Sequence, residues 1–275
     1  MKQFLLLLSV LIIFGCNQNQ KKESLQNEKV ITEPNGDPEN ATISPAVVFA
    51  QNIEAAHNKQ AWEAKKAVSF NIDLSFGGEQ RLTAKITSFT NSSRVRVDKK
   101  DGSKLIYNGK DVFLSPANAN DKGARFDMFT WNYFFSVPFK LTDPGTNWEL
   151  LDSLQIDSTS YAAGKLTFGE KIGDAPDDWY VVYQQPETGL LHAAAYIVTL
   201  GKTKEKAEEN PHVIVYHDYK KVDGIHIATK WTFHNWDKET GIGEQLGEAT
   251  ISNIKFFDAK DDLFAQPKDS KLIEK

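Results

Sequence analysis

The pattern that most restricts this chain is an alternation of apolar and polar residues with period two, repeated at hairpin spacing. In SFNIDLSF, Phe70, Ile72, Leu74 and Phe76 alternate with Ser69, Asn71, Asp73 and Ser75. That is the signature of a strand buried on one face. Gly77-Gly78 turns the chain into a second strand with Leu82, Ala84 and Ile86 inward, and a third sets Val95 and Val97 between Arg94, Arg96 and Asp98. KLIY and DVFL flank Asn108-Gly109, a strong hairpin dipeptide. Strands recur around residues 148–151, 161–168, 179–183 and 190–200, then as HVIVYHDY, IHIATKWTFHNW and ATISNIKFF. About a dozen strands at mostly hairpin distances, without 30-residue βαβ spacing, predict a mainly β (α+β) fold on an antiparallel sheet.

Helical signals are few. Ser44-Pro45 supplies an N-cap residue followed by proline at the first helical position, and PAVVFAQNIEAAHN carries a mostly apolar stripe. A short helical piece at residues 59–66 holds Trp62. One domain is expected over residues 44–267, with a C-terminal tail at 268–275.

Ahead of that domain the composition changes twice. Lys2 precedes eleven apolar or small residues at 4–14, too short a run to span a bilayer and suited to a secretory signal. Ile13, Gly15 and Cys16 then resemble a bacterial lipobox, although Phe14 stands where a small residue is usual. This resemblance implies a signal peptide at residues 1–15 and lipidation of Cys16, the chain's one cysteine. Two or three acyl chains make a stable anchor where one is marginal. Residues 17–43 are rich in Asn, Gln, Lys and Glu, with Pro34, Gly36 and Pro38 breaking any period. They read as a flexible tether reaching about 30 Å. Asn17, rather than Asp, after the cysteine favours the outer membrane, facing the periplasm.

Chemistry is sparse. A net charge of −5 from 32 basic and 37 acidic residues gives no nucleic-acid footprint, and a lone cysteine excludes an intramolecular disulfide. No nucleophile elbow, HExxH, Walker loop or dinucleotide fingerprint occurs, so neither enzyme activity nor a metal or cofactor is expected. Four histidines, His212, His217, His226 and His234, fall in one predicted hairpin. Centring its turn on Asp223-Gly224 sets Val213, Val215 and Tyr219 opposite Phe233, Trp231 and Ile227, and His212 opposite His234 on the other face. That pair reads as solvated, since a zinc site needs three or four ligands. Asp174, Asp177 and Asp178 lack the spacing of a calcium loop and read as turn chemistry.

One segment is denser. ARFDMFTWNYFFSVPF packs Phe126, Met128, Phe129, Trp131, Tyr133, Phe134, Phe135 and Phe139 into fourteen positions, as a core helix or as the wall of a lipophilic pocket. The candidate ligand-binding residues are Phe126, Phe129, Trp131, Phe134, Phe135 and, from the sheet, Trp231.

The lipobox, the tether, the opening helix AQNIEAAHNKQAW and the later segments YQQPETGLLHAAAYIVT and YHDYKKVDGIHIATKWTF together resemble the LolA/LolB-like lipoprotein-carrier superfamily, in a lipoprotein branch of Gram-negative envelope proteins. The resemblance spans roughly residues 44–257. It implies a strongly curved antiparallel half-barrel whose concave side is covered by a few short helices over an apolar cavity, with no catalytic residues. The expected function is therefore a monomeric, membrane-anchored protein that binds or carries an acyl chain or another hydrophobic ligand. A scaffold lipoprotein without a cavity is the alternative, and an envelope hydrolase using His212 and His234 is a second.

Overall fold

The hairpin spacing resolves into two meanders. The fold comes from a computed structural model that describes residues 43–156 and 158–275. The signal sequence, Cys16 and all but the last residue of the tether lie outside the described residues. Two helices open the domain, α1 (Pro45–Ala56) and α2 (Lys59–Glu63), and Ser44 caps α1 as its sequence predicts, with Oγ accepting the Ala46 N–H at 3.3 Å. The first meander follows as β1 (Ala67–Phe76), β2 (Glu79–Phe89), β3 (Val95–Lys99), β4 (Lys104–Tyr107) and β5 (Val112–Ser115). After α3 (Ala124–Ser136) and a 3-10 turn at Val137–Phe139, the second meander opens with β6 (Thr146–Ile156), β7 (Thr159–Phe168), β8 (Tyr180–Gln184) and β9 (Leu191–Tyr196). It continues past α4 (Lys204–Glu208) with β10 (His212–Val222), β11 (Ile225–Asp237) and β12 (Gly241–Phe257).

β12 pairs with β1, so the meanders join into one open antiparallel sheet of thirteen strands, ordered β13-β5-β4-β3-β2-β1-β12-β11-β10-β9-β8-β7-β6. The last of these, β13 (Lys271–Ile273), pairs with β5 and corrects the expectation of a tail outside the domain. Three residues with period-two exposure are too short a signal to separate from a tail.

This order explains α3. β5 and β6 stand on opposite wings, so the link between them has to cross the sheet. A helix satisfies its own backbone hydrogen bonds while crossing buried ground. The main core lies under it: Phe70, Ile72 and Leu74 of β1, Ile86 of β2, Val97 of β3, and Trp231 and Phe233 of β11. A second cluster lies on the opposite face of β8–β10, built from Trp179, Val181, Tyr183, Ala193, Ala195, Val213 and Val215 with Ala207 of α4. Strands buried on both faces show continuous apolar runs instead of alternation, as in VIVY and AAAY.

The β10–β11 register departs from the expected one by a single residue, because a two-residue turn on Asp223-Gly224 pairs residues whose numbers sum to 447, not 446. Asp223 and Gly224 both have positive φ, 50° and 83°, and form a two-residue turn that sets Val222 opposite Ile225. His212 consequently faces Asn235 and Val213 faces His234. A one-residue slip exchanges faces. Ile214 and Tyr216, not Val213 and Val215, pair with Phe233 and Trp231 in the main core.

Candidate functional site

Helical periodicity splits the aromatic residues of α3 between two faces. Met128, Trp131 and Phe135, spaced i, i+3 and i+7, are buried in the main core, while Phe126, Phe129 and Tyr133 on the neighbouring face are half-buried. This second face borders a cavity of about 610 Å³. Val95 and Tyr107 of the first meander line one side, and Phe168, Tyr180 and Tyr196 of the second line the other. Exposed Lys110, Pro144 and Lys275 stand at its rim. A volume between 300 and 1,000 Å³ with mostly apolar walls is typical of small-molecule sites.

Of the six candidate ligand-binding residues, Phe126, Phe129 and Phe134 border the cavity. Trp131, Phe135 and Trp231 serve the core instead. Phe135 stacks on Phe70 with centroids 3.8 Å apart, and Trp231 packs edge-on to Tyr216. The Trp131 indole donates to Asp127 Oδ1 at 3.0 Å, and that carboxylate is held by Arg81 and Lys99, each at 2.7 Å. The inward sheet residues Phe70 and Phe233 thus find their cover in α3, and the space left for a ligand is on the helix's other face. Phe168, Tyr180 and Tyr196 were not singled out by sequence reasoning. Each sits at or near the end of an inward alternation, but three separate strands have to assemble before they share a wall.

The walls are neutral where they are deepest. Burial pushes the phenols of Tyr180 and Tyr196 well above their ordinary value, and burial together with Asp143 and Asp178 does the same for Tyr133. Arg125 lies over the Phe129 ring and holds Asp174 through two bonds of 2.6 and 2.7 Å. Lys140 pairs with Asp143 at 3.0 Å. Asp178 accepts both the backbone N–H and the hydroxyl of Thr199 at 2.7 Å, and burial raises its carboxyl. Asp174 and Asp178, considered for calcium, are therefore spent on separate partners.

The shifted register also separates the histidine pair. His212 points inward beside Tyr196, whereas His234 lies outward, 2.9 Å from Thr232 Oγ1, which His217 approaches equally closely. The hydrolase reading loses its geometric basis. Among the described residues, no three His, Cys, Asp or Glu side chains cluster closely enough to hold a metal ion.

Three solved structures share this fold. A LolA superfamily protein from Nitrosomonas europaea aligns at TM-score 0.54 with 12% identity, covering 82% of this chain and 99% of its own. An outer membrane lipoprotein-sorting domain, so described, from Vibrio parahaemolyticus aligns at 0.50 with 11% identity, covering 80% and 95%. A DUF1329 family protein from Desulfovibrio piger aligns at 0.50 with 13% identity, covering 81% and 98%. The open sheet is thus similar in fold to these structures, a LolA-like half-barrel. No curated protein matches the sequence. The model for the family of unknown function DUF6503 matches residues 1–242, and the chain belongs to that family.

Proposed function

We propose that this protein is a lipid-anchored envelope protein that binds or carries a lipophilic ligand, an acyl chain or the lipid of a lipoprotein, without catalysing a reaction. The observation that carries the reading is the cavity of about 610 Å³ between α3 and the second meander, walled by Phe126, Phe129, Phe168 and the aromatic rings of Tyr180 and Tyr196. Each methylene buried there contributes about 0.8 kcal/mol, so a partly inserted chain is enough for useful affinity. The name of the Vibrio neighbour points to lipoprotein sorting and the fold to LolA, but at 11–12% identity the likeness reaches only the fold. The anchor rests on the lipobox at Cys16, and the outer membrane, facing the periplasm, is the membrane we assign.

The test is native mass spectrometry of residues 43–275 purified without detergent. A lipid-sized adduct released on activation is expected. Phe129→Glu, which puts a charge in the wall, should abolish it, while Lys206→Ala on exposed α4 should not. A protein that purifies empty and takes up no acyl probe would replace this reading with that of a scaffold.

A further inference from the structure

The open sheet has two edges, and they are finished differently. On one, the terminal strand β13 has only three residues. On the other, β6 runs for eleven residues and pairs with β7 alone. The Gly169 N–H donates to the Gly145 carbonyl at 2.8 Å, and these two glycines continue the pairing of Thr146 with Phe168. Antiparallel alternation then turns the backbone groups of Asn147, Glu149 and Leu151 towards β7, and those of Trp148 and Leu150 away from it. Among the described residues no backbone partner meets these outward groups. The same stretch leaves Leu150 and Leu151, one on each face of the sheet, 43% and 37% exposed. An unpaired edge flanked by apolar side chains is a template for another strand.

The charges on β6 select which strand. Two copies of β6 paired antiparallel through their leucines would set Glu149 against Asp152 twice, and like charges directly opposite are destabilising. A complementary segment lies in this chain. Residues 28–33, outside the described residues, read EKVITE, and Val30-Ile31 is the one adjacent apolar pair between Asn17 and Ile43. Laid antiparallel with Ile31 facing Leu150 and Val30 facing Leu151, this segment sets Lys29 opposite Asp152 and Thr32 opposite Glu149. No like charges are then directly opposite. The connection fits as well. The segment leaves β6 beside Trp148, whose ring lies 5.9 Å from that of Phe49 on α1. Phe49 is about 6 Å along that helix from Pro45, and the chain from Glu33 to Pro45 can span about 40 Å.

We infer that residues 28–33 of this chain dock on the free edge of β6 as an added antiparallel strand, with Lys29 opposite Asp152. Docked, they leave only residues 17–27 as spacer and cut its reach from about 30 Å to about 18 Å, which holds the domain closer to its anchor. This docking is independent of what the cavity binds.

The test is amide hydrogen exchange of the full chain in lipid nanodiscs, read at single residues by fragmentation in the mass spectrometer. The Trp148 and Leu150 amides should exchange about tenfold more slowly in the parent than in the double variant Val30→Asp, Ile31→Asp, the value of one to two net hydrogen bonds. The Leu166 amide, on the other strand of the hairpin, should not respond. Lys29→Glu and Asp152→Lys should each weaken the protection, and the two together should restore it. Fast exchange at both β6 amides in the parent overturns the docking. So does protection that survives Val30→Asp, Ile31→Asp, and if that protection grows with protein concentration the edge belongs to a second copy instead. A paired charge exchange that restores nothing overturns the alignment of Lys29 with Asp152.

Discussion

The Nε2 of His57 accepts the backbone N–H of Leu191 at 3.0 Å, across 134 residues of chain. That role fixes the tautomer, so Nδ1 donates to the His226 carbonyl at 2.9 Å. In return His226 Nδ1 lies 2.9 Å from the Ala56 carbonyl, and the Asn58 amide donates to Gly224 at 3.1 Å. Three distant segments meet at this ring: the end of α1, the start of β9, and the β10–β11 turn. They belong to the same stretches that carry the family resemblance in the sequence. The histidine at their centre was not among the four that drew attention there.

The His57 ring should make stability depend on pH. It is fully buried, and burial lowers its pKa from 6.5 to about 4. Between those values the unfolded chain binds the proton more readily, so stability rises with pH through this window. The contribution is complete above about 6.5 and fades as pH falls towards 4, by roughly 3 kcal/mol. His192, also lowered to about 4 by burial and by His217, adds in the same direction. Urea melts at pH 8 and pH 5 should show the loss. In His57→Gln the difference should shrink, at a cost of about 1 kcal/mol at pH 8.

Asp127, the one acid of α3, should be worth about 3 kcal/mol to folding. It is buried and accepts from Lys99, Arg81 and the Trp131 indole. Asp127→Ala leaves a mostly buried ammonium and an indole N–H without their acceptor, and should cost about 3 kcal/mol. Arg81, more exposed, contributes little to that figure. Asp127→Asn should cost less, since an amide oxygen can still accept from Trp131. Equilibrium denaturation distinguishes the two.

Gly247 lies where the meanders join, opposite Phe76 of β1 and Phe233 of β11. A Cβ there would collide with the Ser75 carbonyl oxygen and the Phe76 ring. Gly247→Ala should therefore destabilise by about 2 kcal/mol, the usual range for overpacking. Glu248→Ala, at the exposed neighbouring position, should stay within about 0.5 kcal/mol of the parent. Thermal melts of the two variants compare them directly.

Anchoring is tested at Cys16, outside the described residues. In Cys16→Ser, metabolic labelling with an acyl precursor should disappear from the protein, and the chain should leave the membrane fraction or remain uncleaved. Label retained in the variant would remove the lipobox from the account.

What the sequence determined by itself is local. Ser44-Pro45, the alternation through β1 and β2, and the Gly77-Gly78 turn act over a few residues, and each element forms where its pattern lies. Asn108-Gly109 marks a hairpin too, although its loop runs over four residues, with Tyr107 facing Val112. Even the crowding of aromatics on α3 was visible as supply. Which of those rings pack and which wall a cavity was not, because that depends on where a crossing helix meets two wings of one sheet. β12 closing on β1 is a pairing over some 180 residues, and it alone puts β5 and β6 on opposite wings. The register of β10 was implied by Asp223-Gly224, since a two-residue turn there pairs Val222 with Ile225, and one residue of slip exchanges every side chain between the two faces of the strand. Pairing partners, faces and cavities are properties of the assembled sheet. Period and turn chemistry are properties of the chain, and only those can be read before it folds.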